Sequence, residues 1–494
     1  MRCCSLLALA VLASCGGVGL GETCAGITDC ATTLQCVSNV CRPRCLRSPD
    51  CGNGFSCGAD GICREANGQL GDSCVSEVDC EGGLACELSG LTVPAGAMQA
   101  SCVMAGGGHP ANAACTADRD CRNHTCALGR CIDLCRETRD CGVGTSCAEI
   151  PRVEANGAMF AGCLQSSGSL TWNIPVHGSA ETIKLPVPNT ARSVAVTMRV
   201  NDVNQEVGVT HITSPTSVTL LDFSDDPFAD PVRHRPDLGQ SVLAMPSTPD
   251  VPLIPGAYTL DVRSLKPPFT HTSIGTATPI VTAVIKLDAS VILDLHFYFL
   301  NFDDHPCAAG FGSGGTLNAA RANAATFFQN DFLGKLRQVF ARGGVALGTL
   351  SYQDLFDHPD LDGLDISNAA ALLALGKHDV GINVFFVRSL SPVGLQAFGP
   401  NPGPAGLGGT SQSGVIIALD TLCYRTWNDL ARLTAHELAR YMGLYDNVEL
   451  DPAQHDPISD SDGTSANLMF YSEFGGADLS QGQRDILSRS PVLR

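Results

Sequence analysis

Near the end of the chain, an apolar run at helical spacing carries a histidine and a glutamate side by side, His436 and Glu437. Gly443 and Asp446 follow where the run ends. Imidazole nitrogens and carboxylate oxygens bind divalent cations, and a glutamate beside such a ligand can act as general base on a metal-bound water. A second histidine one helical turn after the first would complete a pair on one helix face, but that position holds Arg440.

Arg440 argues against a bound metal. Its guanidinium stays charged, offers only donors and would repel a cation. Catalytic zinc sites use three protein ligands and a water, whereas only His436 and Asp446 remain here. We therefore expect zinc to be absent and Arg440 to pair with Glu437 or Asp446 in a structural ion-pair cluster. In an alternative ligand set, His455 joins His436 and Asp446, and Glu437 is the base of an active enzyme.

This stretch resembles the zinc-binding segment of metzincin-type metalloproteases, since residues 436–446 read HELARYMGLYD. Residues 467–469 read NLM, where that family carries its Met-turn, and residues 456–460 and 479–487 resemble its acidic loop and closing helix. The resemblance covers residues 288–494 and implies an α/β (α+β) fold. It also implies that Met469 packs beneath the site.

The elements that must position these residues alternate between strand and helix patterns. Residues 291–300, 380–387 and 414–419 predict buried strands. Residues 316–342 and 427–442 place apolar side chains at helical spacing, and each run ends at a glycine. Upstream, residues 164–287 contain β-branched, alternating runs separated by turn residues, which predicts a β-sandwich.

The chain has 25 cysteines, and most lie in residues 15–163 in five groups of similar spacing, each with an acidic turn before its second cysteine. Such density in a chain with an export signal predicts disulfides, although the pairing within a group stays open. Zinc binding by these cysteines is the rival interpretation. Two cysteines far downstream, Cys307 and Cys423, predict one further bridge. The predicted fold class is thus multidomain: disulfide-rich repeats, a β-sandwich and a metzincin-like domain.

Residues 1–14 have a short positive start and a short apolar stretch, which predicts a signal peptide. Residues 12–15 resemble a bacterial lipobox, and the resemblance implies cleavage before Cys15 and lipidation of its sulfur. The alternative is an ordinary signal peptide with a chance cysteine at the cleavage site. We expect an exported protein held on a bacterial membrane, the outer one, by its acyl chains. The formal net charge of -19 argues against nucleic acid as a partner.

Three functions follow from these observations. The first is a surface lipoprotein whose metzincin-like domain has lost zinc and proteolysis and binds a peptide or protein in its cleft. The second is an active zinc endopeptidase with an unusual ligand set. The third is a structural protein that only displays or assembles its domains at the surface.

Overall fold

The computed structural model describes residues 22–26, 29–32, 34–37, 39–51, 55–57, 61–91, 98–223, 228–270, 272–312, 315–451, 453–472 and 474–494. The predicted signal peptide and Cys15 lie outside these residues. The described chain forms two compact units, which fall within Met1–Glu149 with Met159–Gln165 and within Ile150–Ala158 with Ser166–Arg494. No helix in these ranges is long and apolar enough to cross a membrane.

The five cysteine groups share one disulfide pattern, in which the first cysteine pairs with the third and the second with the fourth. The third and fourth cysteines face each other across a hairpin in the first four groups, and each reaches back to an earlier cysteine. These bonds leave no thiolate in the groups for a metal. The bridges are Cys24–Cys36, Cys30–Cys41, Cys45–Cys57, Cys51–Cys63, Cys74–Cys86, Cys80–Cys102, Cys115–Cys126, Cys121–Cys131, Cys135–Cys147 and Cys141–Cys163.

Short antiparallel strands carry these bridges, and the cysteines themselves form the buried clusters of the first, second, fourth and fifth repeats. Cross-links stabilise such small units by restricting the unfolded chain. The strands are β1 (Leu34–Val37), β2 (Val40–Pro43), β3 (Phe55–Cys57), β4 (Cys63–Glu65), β5 (Ser73–Cys74), β6 (Leu84–Leu91), β7 (Met98–Met104), β8 (Cys126–Ala127), β9 (Arg130–Cys131), β10 (Thr145–Arg152) and β11 (Ala158–Gln165).

The recurring aspartate before the second cysteine of each group closes a tight turn. In every repeat its Oδ2 accepts hydrogen bonds from the backbone N–H groups three and four residues earlier, at distances of 2.8–3.4 Å. A carboxylate that accepts two N–H bonds satisfies donors that the turn leaves open. The residues are Asp29, Asp50, Asp79, Asp120 and Asp140.

The cap at Asp120 predicts that the stability of its turn depends on pH. Hydrogen bonds from the N–H and hydroxyl of Thr116 and the N–H of Ala117 hold the pKa of Asp120 below its ordinary 3.8. A folded pKa below the unfolded one adds stability above the unfolded pKa, and this is lost as pH falls through the folded pKa. We expect hydrogen-exchange NMR to show protection of the Thr116 and Ala117 amides falling below about pH 4.

Asp120→Asn should remove this pH dependence at both amides. Asp118→Asn is the matched control, because the Asp118 carboxylate accepts from the N–H of Cys126. Equal pH dependence of the two amides in wild type and Asp120→Asn would show that the cap is not the cause.

The second unit begins with two antiparallel sheets, as the alternating runs in residues 164–287 predict. The first has the order β12-β20-β14-β18, and the second has β13-β19-β15-β16 with β17 paired to β15. The strands are β12 (Ser169–Ile174), β13 (Ala180–Val187), β14 (Ser193–Arg199), β15 (Glu206–Thr213), β16 (Thr219–Asp222), β17 (Asp237–Leu238), β18 (Gln240–Met245), β19 (Gly256–Leu265) and β20 (Ile280–Lys286).

Nearly every residue of β14 and β20 is buried, on both faces of the strands. Ala195 and Val284 belong to the same apolar core as the C-terminal strands and helices, so the first sheet also packs against that region. The fully buried Lys286 donates from Nζ to the carbonyl oxygen of Leu493 at 2.7 Å. The division of this unit into separate domains at residue 288 stays a prediction.

The C-terminal region is built on one sheet of order β22-β21-β24-β27-β26, in which β26 alone pairs antiparallel among the described strands. Its strands and those of a small parallel pair are β21 (Ile292–Phe299), β22 (Ala346–Asp354), β23 (Gly363–Asp365), β24 (Ile382–Val387), β25 (Ser389–Ser391), β26 (Ala397–Phe398) and β27 (Val415–Ala418). The helices are α1 (Ala319–Ala324), α2 (Leu333–Arg342), α3 (Ala369–Leu373), α4 (Trp427–Tyr441) and α5 (Gln481–Arg489).

The helix predicted over residues 316–342 is interrupted. Ala325 is extended after α1, and a π-helical turn, Phe327–Phe332, leads into α2. The turn places Phe328 and Phe332 in a buried aromatic cluster with Phe297 and Trp427. Aromatic packing of this kind outweighs the regular α-helical ladder that periodicity alone predicts.

Candidate functional site

The position of the candidate residues depends on how helix α4 begins and ends. At its start, the Thr426 hydroxyl accepts from the N–H of Asp429, whose carboxylate accepts from the N–H and hydroxyl of Thr426. After its end, Gly443 has a φ of 106°, a conformation that glycine adopts without strain. The chain therefore turns back directly after the helix and brings Asp446 beside His436 and Arg440.

His436 is buried, and each of its ring nitrogens faces an oxygen atom. Nδ1 lies 2.9 Å from the carbonyl oxygen of Leu468, which only accepts, so Nδ1 carries the proton and donates it. Nε2 lies 3.4 Å from Oδ1 of Asp446. Burial lowers the pKa of His436, although the charges of Glu437 and Asp446 act in the opposite direction. The neutral ring thus presents its Nε2 lone pair to a carboxylate oxygen.

Arg440 forms an ion pair with Asp446. Its Nη1 lies 2.9 Å from Oδ2 and 3.1 Å from Oδ1 of Asp446. Burial alone would lower the pKa of Arg440, but the charges of Asp446 and Glu437 outweigh it and raise the pKa. Of the two partners expected for Arg440, the ion pair forms with Asp446 and not with Glu437. The Arg440 Nε is buried and makes no hydrogen bond within the described structure.

Met469 is fully buried and lies in a turn directly after Leu468, whose carbonyl oxygen contacts His436. Its N–H donates to Oδ1 of Asn467, and its carbonyl oxygen accepts from the N–H of Asn447, each at 2.9 Å. The turn therefore presents the Leu468 carbonyl to His436, and it joins the segment that carries Asp446 through Asn447.

Sequence reasoning missed Arg432, which also holds this turn. Its guanidinium donates to the carbonyl oxygens of Leu468 at 3.2 Å and Gly476 at 3.0 Å. Burial lowers the pKa of Arg432 to about 10, and the charges of Glu437 and Asp446 work against that shift. One helical turn before His436, an arginine at a buried position of α4 is the signal that could have revealed it.

Glu437 faces a cleft of about 250 Å³. Its carboxylate forms no hydrogen bond or ion pair with any residue that the structure describes. The cleft is lined on one side by the segment that enters β26, and on the other by α4 and the residues after the Met469 turn. These lining residues are Gly394, Leu395, Gln396, Ala397, Arg432, Leu433, His436, Glu437, Tyr471 and Ser472.

His455 is held apart from the other two candidate ligands. Its Nδ1 lies 3.2 Å from the carbonyl oxygen of Asn447, and it pairs in a β-bridge with Val448. Over the described ranges, the only groups of three histidine, cysteine or acidic side chains with converging donor atoms consist of the bridged repeat cysteines. His436 and Asp446 are thus brought together, but His455 does not join them as a third ligand.

The residues present do not fit a catalytic zinc. They supply one imidazole and one carboxylate, whereas such sites use three protein ligands and a water. Both oxygens of that carboxylate contact the Arg440 guanidinium, whose charge stands next to the position a cation would take. The orientation of His436, with one nitrogen donating to a carbonyl and the other facing an acidic ligand, is nevertheless that of a metal-binding histidine.

A disulfide supports this region from a distance. Cys307, in the segment after β21, is bonded to Cys423, just before α4, across 116 residues of sequence. The indole N–H of Trp427 donates to the carbonyl oxygen of Gly310 at 2.7 Å, next to the same bridge. The bond expected from the two downstream cysteines therefore fixes the start of α4.

Comparisons with known proteins add little to this geometry. No protein-family model matches the chain, and no curated protein does. Two solved structures of the IMPa metallopeptidase from Pseudomonas aeruginosa, one in complex with an O-glycopeptide, are each 13% identical, with TM-scores of 0.11 and 0.10. The matches cover 54% and 56% of this chain but only 30% and 32% of those chains. At these TM-scores they support no argument about fold or function.

Proposed function

We propose that residues 288–494 form a metzincin-like domain that has lost zinc and proteolytic activity and binds an extended segment of a peptide or protein. The observation that carries this proposal is the contact of Arg440 with both oxygens of Asp446. It supports an ion pair in place of a metal, because Arg440 supplies the positive charge at the position of a missing ligand.

The cleft supports binding of an extended segment. Strand β26 ends the sheet: it pairs with β27 on one side, and no described strand pairs with its other side. The unpaired edge of a sheet can accept another strand through backbone hydrogen bonds, and this mode needs no metal. The segment that enters β26 lines the cleft that Glu437 faces.

For the N-terminal part we propose export and attachment to a bacterial membrane, the outer one, through acyl chains on Cys15. Its support is the sequence of residues 12–15 and the disulfides of the five repeats, because such bonds persist in oxidising compartments.

Metal content tests the loss of zinc. Oxidised protein that begins after Cys15 is dialysed against micromolar zinc and then against buffer, and the retained metal is measured by mass spectrometry. We expect far less than one zinc per chain, because His436 and Asp446 are two donors where three are needed.

His436→Ala serves as the matched control and should retain the same trace of metal. If the wild type retains about one zinc per chain and His436→Ala loses it, the result would favour an active endopeptidase. His455 would then be the candidate third ligand.

A further inference from the structure

Glu437 is an acidic side chain in the cleft, and its carboxylate has no hydrogen-bond or ion-pair partner among the described residues. It lies on α4 and is partly exposed. In a zinc enzyme this carboxylate would work on a metal-bound water, but the residues around His436 do not fit such a metal. A carboxylate in a cleft retains strong hydrogen-bond accepting capacity, which a ligand can use.

Two arginines of the same helix, Arg432 and Arg440, do not bind this carboxylate. The Nη1 group of Arg440 donates hydrogen bonds to the carboxylate of Asp446. Arg432 donates to the carbonyl oxygens of Leu468 and Gly476. Neither guanidinium reaches the carboxylate as an ion pair in the described structure.

An aromatic ring lines the same cleft. Tyr471, two residues after Met469, is 45% exposed and lines the cleft. A planar guanidinium stacks on an aromatic face and donates in parallel to a carboxylate, whereas an ammonium lacks the flat, forked shape. Carboxylate, exposed ring and open strand edge together match an extended segment that carries an arginine.

We propose that the cleft selects an extended segment with an arginine side chain, which Glu437 binds as an ion pair and Tyr471 covers. This proposal rests on the proposed function, because it names the kind of segment that the cleft accepts. Lysine would bind less well than arginine, since it makes only a point contact with Glu437.

The test is fluorescence anisotropy with a labelled, end-blocked peptide that is rich in threonine and valine and carries one central arginine. A second peptide replaces the arginine by citrulline, which keeps the shape and removes the charge, and a third carries lysine. We expect the citrulline peptide to bind about tenfold more weakly to the full exported chain, with lysine in between. Glu437→Gln should weaken binding of the arginine peptide about tenfold, so that the arginine and citrulline peptides bind this variant with equal affinity.

Glu449→Gln is the matched control, because Glu449 lines a separate cavity beside Arg440 and not the cleft. It should leave the arginine preference unchanged. Equal binding of the arginine and citrulline peptides to the wild type would overturn the arginine proposal and leave peptide binding standing. If none of the peptides binds, both the arginine proposal and the proposed peptide binding are wrong.

Discussion

Arg440→His is expected to turn this chain into a stoichiometric zinc binder. His436 already donates from Nδ1 to a carbonyl, and its Nε2 lies 3.4 Å from Oδ1 of Asp446. A histidine one helical turn later on the same face adds the third donor. The same change removes the guanidinium that contacts both oxygens of Asp446.

The expected gain is from trace metal to about one zinc per chain after dialysis, because three protein ligands are what catalytic zinc sites use. Mass spectrometry gives the stoichiometry, and cobalt in place of zinc gives a visible spectrum that reports tetrahedral coordination. Arg440→Gln is the matched control: it removes the charge and the ion pair but adds no strong metal donor, so it should retain no zinc.

Two second-site variants separate binding from catalysis. Adding His436→Ala to Arg440→His should abolish the metal. Adding Glu437→Gln should keep the metal but remove any hydrolysis of fluorescent casein that Arg440→His acquires, because Glu437 is the candidate base. A folded Arg440→His protein that still excludes zinc would mean that residue 440 does not reach the space between His436 and Asp446.

The parts of this site that the sequence predicts are local in the chain. The apolar spacing of residues 427–442 places α4, and its glycine places the reversal after it. Helix geometry then determines which residues share a face with His436, and the short return brings Asp446 back. The sequence therefore predicts the neighbours of His436 on this segment without knowledge of the rest of the fold.

Contacts between distant segments could not be predicted in this way. The acceptor for His436 is a backbone carbonyl 32 residues away, and a carbonyl carries no sequence signal. Strand β26 has only Ala397–Phe398, too short for any periodicity to appear. The β-branched, alternating runs of β14 and β20 predict strands of a sandwich, but they do not predict that these strands are buried on both faces or that they pack on the C-terminal core.

In the repeats, the sequence shows the similar spacing of the cysteines but not which cysteines are bonded to each other. Equal spacing of four cysteines is compatible with three connectivities in each group. The fold of each repeat decides between them, because it brings the first cysteine beside the third and the second beside the fourth. The aspartate caps, in contrast, follow from a recurring residue type at a fixed position in a turn, which is why the acidic turn is visible in the sequence.

Asp446→Ala is expected to destabilise the second unit strongly. The Asp446 side chain is only 9% exposed and Arg440 28%, so the substitution leaves a guanidinium charge mostly out of water without its partner. Breaking a buried pair from one side costs about 3 kcal/mol. In thermal unfolding followed by near-ultraviolet circular dichroism, the Tm should fall by roughly 4 °C.

The double variant Arg440→Met with Asp446→Ala tests the cause. Methionine keeps much of the arginine stem but carries no charge, so most of the lost stability should return if the unpaired guanidinium is responsible. Arg440→Met alone leaves Asp446 facing the Nε2 lone pair of His436 and should destabilise as well. A double variant as unstable as Asp446→Ala would assign the loss to the packing of Asp446 instead of to its charge.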